Sequence, residues 1–213
     1  MNTRTKQITL IAMFSAMAYV VVALLRFPVV LFLNYEPKDI IITLSGLTMN
    51  PVVPVIVSAI VSLLEMITIS NTGPIGCLMN FLSSCAFACT AAIIYHKKKS
   101  IYSAVLGLIC GCAVMVGVML LWNYAITPLY METPREVVAS MLVPVFLPFN
   151  LLKGVLNAAL TFLLYKPVVT ALRKTTLLPK AKNTHRFNPF FIGAAILVIM
   201  SCVLFILALK GII

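Results

Sequence analysis

Apolar residues run through this chain in blocks of roughly 18 to 25, and the gaps between blocks hold most of its prolines and charges. A block of that length matches the ~30 Å hydrocarbon core of a bilayer when wound as a helix rising about 1.5 Å per residue. Backbone N–H and C=O groups in lipid must be satisfied inside the protein, so only helices or closed barrels can span it. Barrel strands need only about ten residues, which favours helices here. Composition agrees, since 62% of the 213 residues are hydrophobic, 10% are charged and the mean hydropathy is +1.10. The expected fold is an all-α integral membrane protein. No stretch outside the blocks is long enough to build a self-supporting soluble core.

The net charge of +11 would fit a nucleic-acid or anionic partner if it were spread over a surface, but it is confined to block edges. Arg4 and Lys6 precede the first block, Lys97, Lys98 and Lys99 follow the fourth, and Lys166, Arg173, Lys174, Lys180, Lys182 and Arg186 follow the sixth. An even number of crossings separates these places, so they share one side. The positive-inside rule makes that side the cytoplasm, with a cytoplasmic N-terminus on a multi-pass protein of the cell membrane. Glu36, Asp39, Glu65, Glu132 and Glu136 then fall on or near the other side. The first block is too long, and too poor in small-residue cleavage signals, for a removable signal peptide, and reads as an uncleaved helix.

The spans are expected at 8–25, 40–49, 52–69, from the turn at 70–76 to 95, 101–126, 141–165 and 190–209. Residues 26–38 and 127–140 are expected as outer loops. The ten-residue second span is short for a bilayer, and length leaves open whether it extends or tilts under the cover of its neighbours. Gly107 and Gly111, four apart, allow close helix packing in lipid. The expected division is a six-helix membrane domain at 1–172, a basic cytoplasmic linker at 173–189 and an additional helix at 190–213. That last helix, without charge in its apolar run, reads as a lipid-facing anchor.

The sixth span breaks the apolar pattern. Asn150, Lys153 and Asn157 are spaced i, i+3, i+7 and so share one helix face. A lysine near the bilayer centre costs about 2.5 to 3.5 kcal/mol on insertion scales and normally meets a partner, a cavity or a ligand. Lys153 lies about eleven residues from either expected edge, too deep to snorkel. An internal pair, for example with Glu65, is the structural alternative to a ligand contact. Asn123 sits beside Trp122 and Tyr124, an aromatic pair of interfacial type. Asn123 and Asn80 each want a buried partner, either a ligand or a neighbouring helix. Ala12 and Ala16 give the first span an AxxxA face that could receive another helix.

Catalytic patterns are missing from the sequence: there is no HExxH, GxSxG or GxxxxGK[ST] and no aspartate cluster for phosphoryl transfer. A membrane enzyme using Lys153 as a base is the alternative of another class, and it lacks a nucleophile or metal set beside the lysine. Any ATP-driven process would need a separate nucleotide-binding protein. His96 and His185 stand in basic segments and read as solvated or headgroup-facing. The six cysteines lie mostly in apolar runs without CxxC spacing or a nearby histidine, and read as small packing residues.

Several of these elements together resemble the riboflavin-specific S components of energy-coupling factor (ECF) transporters. They are Ala12 and Ala16, the run Asn34-Tyr35-Glu36-Pro37-Lys38-Asp39, the turn Gly73-Pro74-Ile75-Gly76, Asn123, and Pro148-Phe149-Asn150-Leu151-Leu152-Lys153-Gly154. The resemblance covers about residues 8–170, with the last motif its most specific part. It implies a six-helix substrate-binding domain that captures riboflavin outside and delivers it inside, working with a transmembrane T component and two cytoplasmic ATPases. Riboflavin would be cargo, with no cofactor implied. By the same resemblance Asn123, Asn150 and Lys153 would bind the vitamin, with Tyr35 and Asn80 added from position, and Ala12 and Ala16 would contact the T component. Riboflavin offers an apolar dimethylbenzene end, a uracil-like edge and a chain of hydroxyls. Amides and an ammonium can hydrogen-bond the polar parts within otherwise apolar walls. An S component for another vitamin or a flavin-like precursor is the neighbouring alternative. The helix at 190–209 departs from the six-helix pattern and has no role assigned by it.

Overall fold

A computed structural model describes residues 3–30, 33–70, 72–175 and 189–209. The chain is mostly helical, in the order α1 (Thr3–Leu25), β1 (Phe27–Val30), β2 (Leu33–Tyr35), α2 (Lys38–Thr48), α3 (Val53–Thr68), α4 (Gly73–Lys98) and α5 (Ile101–Ala125). It continues with α6 (Thr127–Met131), α7 (Arg135–Met141), a π-helical turn (Leu142–Phe146), α8 (Leu147–Lys174) and α9 (Pro189–Leu209). The helices α1, α4, α5 and the continuous helical stretch Arg135–Lys174 are each long and apolar enough to cross a membrane, while α3 and Ile192–Ala208 are shorter apolar helices.

Three segments differ from the sequence expectation. The outer loop at 26–38 contains an antiparallel hairpin, with Phe27 opposite Tyr35 and Val30 opposite Leu33, so the fold is not purely helical. The loop at 127–140 contains α6 and α7, which begin beside Pro128 and Pro134; proline's fixed φ and missing N–H suit the first turn of a helix. The sixth span runs past residue 165 to Lys174 with Pro167 inside it. At its other end Pro144 and Pro148 remove two backbone donors four residues apart, and the helix there widens into the π-turn.

α2 is the centre of the bundle. It packs against α1, α3, α4 and α8, and every residue from Lys38 to Leu47 is buried. The open question about the short second span is thereby answered: it does not extend to bilayer length but is enclosed by other helices. Nε2 of His96 lies 2.9 Å from the Gly46 carbonyl near the end of α2, so this half-buried histidine closes a helix terminus and is not a solvated surface group. The α4–α5 contact uses the glycine pair. A methyl at Gly107 would lie 2.7 Å from the Ala91 carbonyl oxygen and one at Gly111 2.6 Å from that of Phe87, so the helices could not approach this closely with any larger residue.

Leu172 packs with Leu10 and Phe14, and the Tyr95 and Tyr165 hydroxyls are 2.7 Å apart. The start of α1, the end of α4 and the end of α8 therefore meet at one end of the bundle, carrying Arg4, Lys97, Lys98, Lys99, Arg173 and Lys174. The hairpin, α6 and α7 lie at the other end. Lys180, Lys182, His185 and Arg186 of the expected linker lie outside the described residues. α9 packs against α8 and β1. Its residues Ala195, Cys202 and Ile206 are buried while Leu197, Met200 and Leu204 are exposed, so it is more than a lipid-facing anchor.

Candidate ligand-binding site

A cleft opens at the hairpin end between the hairpin, the start of α4, the end of α5 and the first turns of α8. The space within it, open solvent at the mouth included, is about 780 Å³. Asn80 enters from α4, Asn123 from α5, and Asn150 and Lys153 from α8, so four of the five residues singled out for binding share one wall system. The sequence also hid several lining residues in what it showed as loops or apolar helix: Arg26, Asn34, Ser83 and Thr127. Met79, Met119, Trp122 and Phe149 complete an apolar and aromatic lining.

Lys153 lies near the middle of the continuous helical stretch Arg135–Lys174 and lines the cleft on its α8 wall. Its Nζ pairs with Asp39 Oδ2 at 3.2 Å. The partner is thus Asp39 and not Glu65. Asp39 stands in the first turn of α2, where the helix dipole favours an anion. Its Oδ1 accepts from Ser84 Oγ at 2.5 Å and its Oδ2 from Asn157 Nδ2 at 3.3 Å. An ammonium has three donors, so Lys153 can hold Asp39 and still present N–H toward the cleft it lines.

Beside this group lies a second. Lys38 pairs with Glu36 at 2.8 Å and with Glu65, and Arg26 reaches Glu36 at 3.4 Å. Asn80 Nδ2 donates to Glu65 Oε2 at 3.0 Å. Three cations (Arg26, Lys38 and Lys153) thus face three carboxylates (Glu36, Asp39 and Glu65), and the set is neutral. Removing such charges from water costs several kcal/mol per ion, and only close pairing with further hydrogen bonds offsets it. Burial alone would push the Glu36 carboxyl up, but Lys38 and Lys153 outweigh it and hold it below its ordinary value of 4.5. The signal available in sequence was Glu65, an acid in an apolar helix that demands a partner for the same reason Lys153 does.

The remaining residues divide. Tyr35 does not line the cleft; it is buried behind it, and its hydroxyl donates to Asn157 Oδ1 at 2.8 Å. Burial, with Asp39 nearby, raises its pKa, so the phenol stays a neutral donor. Asn150 lines the cleft while its Nδ2 donates to the Phe146 carbonyl at 2.8 Å, in the π-turn. Asn123 Oδ1 accepts from Thr127 at 2.9 Å, but its buried Nδ2 has no hydrogen-bond partner among the described residues. Ala12 and Ala16 are exposed on α1, on the side opposite buried Leu10, Phe14 and Ala18. Among the described residues no group of three or more His, Cys, Asp or Glu is placed to hold a metal ion.

A multi-helix membrane bundle with a deep cleft, lined by aromatics, methionines and amides over a neutralised charge cluster, has the construction of a membrane-embedded receptor for a small polar-and-apolar molecule. Residues 6–165 match the family described as the ECF transporter, substrate-specific component, and the chain belongs to that family. It is 30% identical over 180 residues to the riboflavin transporter RibU of Staphylococcus aureus, covering 80% of this chain and 94% of that protein. To the riboflavin transporter FmnP of Bacillus subtilis it is 27% identical, covering 77% and 94%. A solved structure described as the S component of a bacterial ECF transporter superposes with a TM-score of 0.67 at 31% identity, covering 80% of this chain and 99% of that one.

Proposed function

We propose that this chain is the riboflavin-binding S component of an ECF importer, taking the vitamin from outside the cell and releasing it inside. The observation that carries this reading is the Asn123 amide. A buried donor without an acceptor costs about 1 to 3 kcal/mol, and this one belongs to a residue of the cleft wall, where a ligand carbonyl or ring nitrogen would satisfy it. Asn80, Asn150 and Lys153 line the same cleft and can address the rest of the uracil-like edge. Phe149, Met79, Met119 and Trp122 suit the dimethylbenzene ring. Tyr35 acts from behind, through Asn157 and Asp39, on the position of Lys153. The names of the curated relatives support riboflavin over other vitamins.

In this reading riboflavin is cargo, not a cofactor, and the chain is not an enzyme. ATP hydrolysis falls to two cytoplasmic ATPases coupled through a T component. The exposed Ala12 and Ala16 face of α1 is the contact for that T component, and it is well separated in the packing order from α9, which rests on α8 and β1. The basic end faces the cytoplasm, giving a cytoplasmic N-terminus, a six-helix binding unit at 1–172 and a seventh crossing at 190–213 joined by the basic linker. The cleft then opens outward.

Riboflavin titration into purified protein tests this by quenching of the single tryptophan, Trp122, which lines the cleft. Asn123→Ala should weaken binding about tenfold, the loss of one hydrogen bond of ~1.4 kcal/mol. Lys153→Ala should weaken it by about a hundredfold, since Asp39 loses its cation as well. Absence of saturable quenching by riboflavin, or unchanged affinity in both variants, overturns the assignment.

A further inference from the structure

The helix α9 lies beyond the family match at 6–165, and its buried face meets the cleft from behind. Cys202 and Ile206 pack in one apolar cluster with Val29 and Leu33 of the hairpin, Tyr35, and Phe149 of α8. Leu33 and Phe149 belong to that cluster and also line the cleft. The hairpin needs such support. Its strands have four and three residues, with a register irregularity between Pro28 and Val30, and an isolated two-stranded hairpin is marginal at best. Bilayer lipid, as apolar as the side chains themselves, would give no hydrophobic force to hold it against α8.

We propose that α9 is a built-in brace that clamps the hairpin onto α8, so that Cys202 and Ile206 act as positioning residues for the ligand through Leu33 and Phe149. This rests on the riboflavin reading for its ligand but not for its structure. A clamped hairpin is a static wall of the cleft, and the consequence is slow release. Loosening the clamp should accelerate dissociation while association, which requires only an open mouth, stays the same. Tyr35 belongs to the same cluster, so the brace also steadies the chain of contacts from Tyr35 through Asn157 to Asp39 and Lys153.

The test uses the full-length chain with Cys202→Ala and Ile206→Ala combined, beside Met200→Ala and Leu204→Ala combined on the exposed face of the same helix. Two readouts are taken: stopped-flow riboflavin association and dissociation, and hydrogen–deuterium exchange of the amides of Phe27, Val29, Val30 and residues 33–35, which needs no ligand. The first pair should raise the dissociation rate by at least about fivefold and hairpin exchange by a similar factor, with the association rate unchanged. The second pair should change neither. Ile206→Ala alone, with a smaller rise in dissociation and exchange, serves where the double variant fails to fold, and Ile206→Val should restore most of the slow release. Hairpin exchange that does not change overturns the brace, as does faster exchange with unaltered dissociation. If the unmodified chain binds no riboflavin, the ligand assignment falls, and hairpin exchange alone decides the brace.

Discussion

The helices α2 and α9 invert the usual relation between polarity and burial. α2 has 11 residues, opens with Lys38 and Asp39, and is enclosed over nearly its whole length. α9 has 21 residues, holds no charge, and shows much of its surface outward. Water would drive the reverse arrangement. In lipid there is no hydrophobic gain from moving a leucine from the bilayer to the protein interior, so helix position is decided by packing and by polar pairing. Charges collect around α2 because each requires partners, and Glu36, Glu65, Ser84, Asn157 and Lys153 supply them from the hairpin-to-α2 junction, α3, α4 and α8. Apolar α9 is placed by packing alone, through Ala195, Cys202 and Ile206 with the partly buried Val198 and Ile199.

This contrast can be broken most severely at Lys38. Lys38→Met leaves Glu36 and Glu65 without their shared buried cation and should cost about 3 to 5 kcal/mol of stability, read as a large fall in thermal unfolding temperature in detergent. Adding Glu65→Gln should recover part of the loss; no recovery would mean that the pair is not the reason Lys38 is there. Next in size is the α4–α5 contact. Gly111→Leu should destabilise by about 1 to 3 kcal/mol through overpacking, whereas Gly117→Ala, with nothing near the added methyl, should be neutral or slightly stabilising.

A smaller effect is expected from acid. Because the folded-state pKa of Glu36 lies below 4.5, its contribution is complete above pH 4.5 and disappears as pH falls through the folded value. The stability advantage of the unmodified chain over Glu36→Gln should therefore shrink only on the acid side of pH 4.5, and an advantage that persists to lower pH would remove the charge from the account. Smallest is Leu204→Ala on the exposed face of α9, which should change stability by less than about 0.5 kcal/mol. A larger loss would show that this face is covered.

What the sequence made legible was local. Apolar length located the spans, the four-residue glycine spacing marked a close-packing face of α5 without naming its partner, and the polar residues of the sixth span located one wall of the cleft. The hairpin was missed because its strands are very short and proline interrupts one of them, leaving little of the two-residue alternation that marks a strand. α6 and α7 were missed because five to seven residues carry less than two helical periods. Lys153 was recognised as needing a partner, and Glu65 was the example named, because periodicity within one helix cannot choose among acids on other elements. Only the stacking of α2 against α8 chooses Asp39, and that pairing joins residues more than a hundred positions apart. His96 likewise looked like part of a basic surface run until α2 was found to end beneath it.

The shortness of α2 bears on how the protein is made. Eleven residues rise only about 16 Å, little more than half of the ~30 Å hydrocarbon core, and the segment begins with two charges. It cannot be inserted as an independent span. Its Asp39 is fully partnered only when α4 supplies Ser84 and α8 supplies Lys153 and Asn157. The short helix is therefore stable in the bilayer only as part of the assembled bundle, and the cleft is complete only with its last wall, α8, in place.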